Sequence, residues 1–229
     1  MIEVVEPSFE ILTNPTGVKQ YIKRRGYVWY KLKDWINEGL AKHFTRLTCP
    51  NHHESAFERA SITVKIICSH AALHQLVRYR AAAYSQEGQQ FCDGGKHGQQ
   101  VICPPYVGLE PGNYTPEYSE NGVRLLRDGE VWEAATTQQC RWIAAMDYAY
   151  SEYLMECKEG ISIQDARYAL PGATKTEVVI PYSVQQWRQI LRVQGGSHAQ
   201  GEIQRIFNDL FEDFKELMPP IFGNLRMKR

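Results

Sequence analysis

A chain of 229 residues in which 43% of side chains are hydrophobic is long enough to bury its own core, and it is read as globular. Its 26 Lys and Arg balance 26 Asp and Glu, so the overall field argues for neither a nucleic-acid nor a membrane partner, and any basic site has to be local. The acidic start MIEVVEPSFE and the absence of eighteen consecutive apolar residues speak against a secretory leader or a membrane span, which places the chain in the cytoplasm.

In chain order, Met1 to Val5 reads as a short strand ended by Pro7, and Val18 to Phe44 carries a mixed helical periodicity rich in Trp, Tyr and Lys. Ser61 to Ile67 (SITVKII) alternates with β-branched residues as a half-buried strand does, and leads into an apolar helix over Ala71 to Ala83 that carries two arginines late in its length. Gly88 to Glu130 is punctuated by Gly and Pro and reads as a long loop, with a strand at Gln100 to Cys103. Thr136 to Glu159 sets Trp142, Ile143, Met146, Tyr150, Tyr153 and Leu154 on one helical face and stops before Gly160. Ser162 and Asp165 are spaced as a capping box for a short helix that Pro171 ends, Thr176 to Pro181 reads as a strand, and Ser197 is the expected cap of a last helix. Along that helix Ile203, Ile206, Phe207, Leu210, Phe211, Phe214 and Leu217 form an apolar stripe, closed by Pro219 and Pro220. No internal repeat or linker appears, so residues 1–229 are read as a single α+β domain. The six cysteines (Cys49, Cys68, Cys92, Cys103, Cys140, Cys157) form no C-x-x-C pair and are read as reduced and mostly structural.

Several groupings bear on chemistry. Arg78 and Arg80 flank Tyr79, ahead of the polar run Ser85 to Gln90. Bidentate guanidinium pairing beside a Gly-containing turn suits a nucleotide phosphate, and an ion-pair network with Glu58 or Glu87 is the equal alternative. His52-His53-Glu54-Ser55, ahead of Glu58, forms a second polar cluster. His70 and His74 stand one helical turn apart, but the stretch is HAALH and lacks the Glu of a zinc-protease helix, so no metal is expected there. Ser197-His198 is read as a helix cap beside a core or interface His in preference to an acyl-transfer pair, because adjacent helical residues do not face each other. Glycine-rich dinucleotide, P-loop and nucleophile-elbow motifs are absent from the sequence.

The segment HQLVRYRAAAYSQEGQQF, His74 to Phe91, resembles the signature of the flavin-dependent thymidylate synthases (ThyX), an Arg-His-Arg followed after seven residues by Ser. Here it reads Arg78-Tyr79-Arg80 and then Gly88. Upstream, His52 to Glu58 resembles the family's G-H-E-(S/T)-P-x-E-H block; downstream, Asp165 to Pro171 resembles its A-R-x-x-L-P element and Ser197 to Ile203 its A-Q-x-E-I helix. The resemblance runs from about His52 to Phe222. It implies a twisted, largely antiparallel sheet with flanking helices, assembled as a homotetramer with sites between subunits. It also implies FAD as cofactor, NADPH and methylenetetrahydrofolate as co-substrates, a pyrimidine nucleotide as substrate and transfer of a methyl group to its C5. Carried over by position, the FAD side falls on His53, Ser55, Glu58, Arg78, Tyr79, Arg80, Ser183, Gln185 and Gln189. The nucleotide side falls on Gln75, Arg78, Gln86, Glu87, Gly88, Gln89, Gln90, Arg167 and Gln194, with Arg167 and Gln194 nearest the chemistry.

The departures from the family pattern concern charge. At Gln194 the family places an Arg that holds the pyrimidine and favours loss of its N3 proton, and a neutral amide supplies no such charge. Gly88 stands where the family has Ser, Gln90 where it has Arg, and Ser183 and Gln185 where it has Asn and Arg. The leading expectation is FAD-dependent C5 methylation of UMP, dUMP or both, as in the UMP-methylating branch that serves nucleoside-antibiotic pathways. A flavin-dependent enzyme acting on a cytidine nucleotide, which the donor and acceptor of Gln194 would suit, and a non-catalytic homologue that binds nucleotide or flavin are the alternatives.

Overall fold

The computed structural model describes residues 1–14, 55–58, 60–79, 84–87, 98–120, 122–196 and 198–226, so the periodicity expected over 18–44 lies outside the described residues. The chain divides into two compact units. The first comprises Met1–Ser8, Ile67–Arg78 and Gln86–Val178, the second Phe9–Ile66, Tyr79–Ser85 and Val179–Arg229.

In the first unit β1 (Ile2–Val5) lies between β5 (Gln100–Ile102), to which it is parallel, and β6 (Gly112–Ser119), to which it is antiparallel. β7 (Gly122–Arg127) and β8 (Glu130–Val131) extend this sheet antiparallel, giving the order β5-β1-β6-β7-β8. In the described part of the Gly- and Pro-rich stretch, the expected strand at Gln100 is joined by two strands read as loop, Gly112–Ser119 and Gly122–Arg127. A missed signal is Asp128-Gly129, the two-residue connection between paired Arg127 and Glu130, with φ of 52° and 91°. Positive φ at both central positions makes the mirror-image turn whose twist suits a hairpin. Packed on this sheet is the 22-residue helix α3 (Thr137–Lys158), which buries Cys140, Ile143 and Tyr150 against Ile2, Val4, Val101, Tyr114 and Leu125. Its start is a complete capping box: Gln139 N donates to Thr136 Oγ1 at 3.2 Å and Thr136 N donates to Gln139 Oε1 at 2.9 Å. Burial pushes the Tyr150 phenol up to about 12, so it stays a donor, and it bonds the Gln100 carbonyl at 3.0 Å.

A second sheet has the order β2-β3-β9-β4, from β2 (Ser8–Ile11), β3 (Ser61–Ser69), β9 (Lys175–Ser183) and β4 (Ser85–Gln86). The strand expected over Ser61 to Ile67 runs two residues further, and that expected over Thr176 to Pro181 extends at both ends. In the second unit Ile62, Val64 and Ile66 alternate into the core as a strand of period two requires. Alongside them lie α1 (Ser55–Glu58) and two amphipathic helices, α5 (Val184–Gln194) and α6 (Gly201–Leu217). The expected stripe of α6 is buried from Ile203 to Phe214, while Leu217 remains partly exposed. Ser197 lies outside the described residues, and the cap is Gln200, whose side chain makes no capping bond. A glycine at the first helical position leaves the backbone open to turn there without a side-chain cap. Pro219 then opens α7 (Pro219–Phe222), as its fixed φ allows at a first helical position.

Helix α5 is held by Trp187. Its fully buried indole donates from Nε1 to the Ile62 carbonyl at 2.8 Å and meets the rings of Tyr182 at 5.0 Å, Phe214 at 5.6 Å and Phe207 at 6.4 Å. Trp187→Phe strands a buried carbonyl and leaves a small void, and it is expected to cost about 2–3 kcal/mol. Urea unfolding followed by circular dichroism checks this: the midpoint falls while the slope stays unchanged.

Candidate active site

The arginine-bearing segment begins at the junction of β3 and α2 (His70–Leu76). Ser69 Oγ accepts from Ala72 N at 3.1 Å and starts the helix, which buries Ala72, Leu73 and Leu76. It ends there, well short of the expected Ala83, because the apolar face is exhausted: Val77 is 36% exposed and no buried residue follows it to Tyr79. Arg78 thus sits in the turn after the helix instead of on it, exposed, and among the described residues it forms no ion pair. The ion-pair alternative for Arg78 accordingly finds no partner there.

In the first unit the backbone of His70 donates to the Thr174 carbonyl at 3.0 Å and that of Ala71 to Gly172 at 2.9 Å, which pins the start of α2 to the turn after the short helix α4 (Ile163–Ala166). Arg167 follows α4 directly, its Nε donating to the Gln164 carbonyl at 3.1 Å. The Ser162 cap expected for α4 is present: Asp165 N donates to Ser162 Oγ at 3.3 Å. Glu87 is tied to β9 by its N–H, which donates to the Glu177 carbonyl at 3.0 Å. Both Arg167 and Glu87 act electrostatically on His70. Burial lowers the pKa of His70 from the usual 6.5, and the positive charges of His74 and Arg167 add to that effect while Glu87 opposes it. Its Nε2 is buried with no hydrogen-bond partner among the described residues. The HAALH pair therefore flanks the proposed nucleotide residues, and among the described residues no cluster has the composition of a metal site. Gln75 on α2 and Gln86 in β4 are exposed.

In the second unit β9 leads straight into α5. Ser183, assigned by position to the FAD side, caps that helix: Gln186 N donates to its Oγ at 3.2 Å and its own N donates to Gln186 Oε1 at 2.7 Å. Gln185 is half-buried and Gln189 exposed on the same helix, and Glu58 is exposed at the end of α1. Gln194, the last residue of α5, is 8% exposed. Burial raises the phenol pKa of Tyr79, and the influence of Gln194 opposes that rise. Tyr79 is in turn held by Tyr84, whose hydroxyl donates to the Tyr79 carbonyl at 2.7 Å and makes a short contact with the Tyr182 hydroxyl. Burial, first of all, raises Tyr182 far above the usual phenol range. Tyr84 and Tyr182 were not among the expected site residues, and the influence of Gln194 on Tyr79 spans 115 positions that no local spacing connects. His53, Arg80, Gly88, Gln89 and Gln90 lie outside the described residues, and Ser55 is described in its backbone alone.

Residues 15–220 match the family described as Thymidylate synthase complementing protein. The flavin-dependent thymidylate synthase of Corynebacterium efficiens is 25% identical over 231 residues, covering 94% of this chain and 83% of that protein. That of Pyrococcus abyssi is 28% identical over 190 residues, covering 81% and 68%. A solved structure of the UMP/dUMP methylase PolB from Streptomyces cacaoi bound with 5-Br dUMP superposes with a TM-score of 0.71 at 19% identity, covering 97% of this chain and 95% of that one. The fold is shared with it.

His70 gives a pH test of the first unit. Its folded pKa lies below the unfolded value, so the unfolded chain takes up protons first and stability is lost as pH falls below about 6.5. Melting temperatures across the mildly acidic range are expected to fall with pH in the parent protein and to fall less steeply in His70→Asn, which has no proton to gain.

Proposed function

Because the chain belongs to the Thymidylate synthase complementing protein family, we propose that it is a nucleotide methyltransferase that uses FAD to place a methyl group on C5 of a uridine nucleotide, UMP or dUMP, with methylenetetrahydrofolate and NADPH as co-substrates. The observation that carries this reading is Arg78, an exposed guanidinium with no ion pair among the described residues, in the turn after α2. An exposed guanidinium with no counter-charge of its own is what an anionic ligand fits.

By position in the family pattern, the proposed FAD contacts are His53, Ser55, Glu58, Arg78, Tyr79, Arg80, Ser183, Gln185 and Gln189. Because the Ser183 hydroxyl already caps α5, its part on that side is to hold the helix start instead of reaching outward. When bound, the flavin supplies hydride transfer and reduction of the one-carbon unit. The protein's own part is to bind and orient. Arg78 and Arg167 hold the phosphate, with Gln75 and Gln86 to Gln90 around the nucleotide and Gln194 at the base. Because Gln194 is neutral, the N3 proton of the base stays in place, and the base is recognised by hydrogen bonds in place of a full charge.

The family match runs unbroken from 15 to 220, through both compact units, which supports treating residues 1–229 as a single domain. The proposed assembly is a homotetramer with sites between subunits. The proposed compartment is the cytoplasm, in keeping with Cys68, Cys103, Cys140 and Cys157, which are free thiols, and with the described residues, where no helix is long and apolar enough to cross a membrane.

The purified protein is expected to show the visible absorption bands of a bound flavin and, given both co-substrates, to release tritium from 5-tritiated UMP or dUMP. Colourless protein with no tritium release overturns the proposal. Arg167→Ala is expected to keep the flavin spectrum and lose about 10–100-fold in kcat/KM for the nucleotide, the size of a lost charge-assisted contact.

A further inference from the structure

Two hydroxyls outside the expected site residues form a chain of hydrogen bonds with a fixed direction. Tyr84 Oη donates to the Tyr79 carbonyl at 2.7 Å, and the same oxygen is bonded to the Tyr182 hydroxyl. A phenol carries one proton, and a carbonyl can only accept. The Tyr84 proton is therefore committed to Tyr79, and in the bond between the two phenols Tyr182 is the donor.

The anchored end of this chain is Tyr182. Its ring is 1% exposed and stands edge-on to the Trp187 indole at 5.0 Å and to the Tyr84 ring at 6.1 Å. The backbone beside it is tied as well: Val184 N donates to the Ala60 carbonyl at 2.8 Å, and Ser183 caps α5. At the other end is the half-buried Tyr79, middle residue of the Arg78-Tyr79-Arg80 segment. Tyr79 lies in no helix or strand, so the Tyr84 hydroxyl supplies the hold that a helix or sheet ladder would otherwise give its carbonyl. All three tyrosines belong to the second unit.

Resting on the reading of Tyr79 as a flavin contact, we propose that Tyr84 is a positioning residue of the flavin site, and that the hydroxyl chain from Tyr182 through Tyr84 carries the rigidity of the buried core to the backbone of Tyr79. This arrangement is asymmetric. Removing the Tyr84 hydroxyl releases the Tyr79 carbonyl and also takes the acceptor away from the buried Tyr182 hydroxyl. Removing the Tyr182 hydroxyl leaves the bond to Tyr79 in place. Removing both abolishes the stranded donor but still releases the carbonyl, so stability and flavin binding part company in the double variant.

Titration of FAD into the purified full chain, followed by flavin fluorescence, tests this, with melting temperatures taken on the same samples. Tyr84→Phe is expected to bind FAD about tenfold more weakly, the size of one net hydrogen bond, and to melt below the parent. Tyr182→Phe is expected to weaken FAD binding no more than about twofold, because only the polarisation of the next bond is lost. The variant carrying both substitutions is expected to melt above Tyr84→Phe while binding FAD as weakly. Should Tyr84→Phe be too unstable to purify, the double variant set against Tyr182→Phe isolates the same hydroxyl, and the same tenfold loss is expected.

If neither comparison shows a loss of FAD affinity, the positioning role is wrong while the flavin reading stands. If the double variant regains FAD affinity together with its melting temperature, Tyr84 acts through stability alone and the proposal is equally overturned. If the parent takes up no FAD, the flavin reading falls and takes this inference with it.

Discussion

The buried indole of Trp187 meets each element of the second unit on which Gln194 depends: it bonds the Ile62 carbonyl of β3, stacks edge-on with Tyr182 at the end of β9, and is closed over by Phe207 and Phe214 of α6. Gln194 stands two turns further along α5 on the same face, so whatever fixes Trp187 fixes the amide. From Tyr182 the constraint passes through the Tyr84 hydroxyl to the backbone of Tyr79. In a low-dielectric interior such a chain of hydrogen bonds is strengthened link by link, and an unpaired member would cost more than the bond contributes. A site residue at a helix end is precise only when the helix itself cannot slide, and here a large ring with a polar handle prevents sliding.

The electrostatics of the two units differ in kind. In the second, neutral groups bear on neutral groups: a phenol and an amide, with the nearest arginines flanking Tyr79 along the chain. In the first, Arg167 and Glu87 bear on His70, which burial keeps uncharged. Proposed phosphate contact therefore rests on guanidiniums at the surface, and proposed base contact on hydrogen bonds in the interior. This division follows from solvation, since an exposed guanidinium keeps its water until a phosphate replaces it, whereas a buried one would have to be paired at once.

Local signals carried much of the fold. The alternation of β3, the stripe of α6 and the face of α3 each involve residues close in sequence, and their energetics are those of one element against a core. Capping boxes at Thr136 and Ser183 mark helix starts that side chains three residues away complete. The hairpins of β6 to β8 were harder to read because Gly112 and Pro116 outweigh the Asp128-Gly129 turn that specifies one of them. Helix α2 was read too long because Ala81 to Ala83 suits a helix, while nothing in a string of alanines says where the buried face stops.

What the sequence determined by itself is the inventory and the family: which polar residues stand at which positions of the Arg78-Tyr79-Arg80 segment, the 165–171 element and the end of α5, and that several charges expected there are neutral. Those facts follow from order along the chain, which motifs record. Only the tertiary structure decided that two of the replacements bear on each other, that Tyr84 and Tyr182 support Tyr79, and that Arg78 lies in an exposed turn. Electrostatic influence depends on distance in space, and 115 residues of chain separate Tyr79 from Gln194 until the fold lets one act on the other.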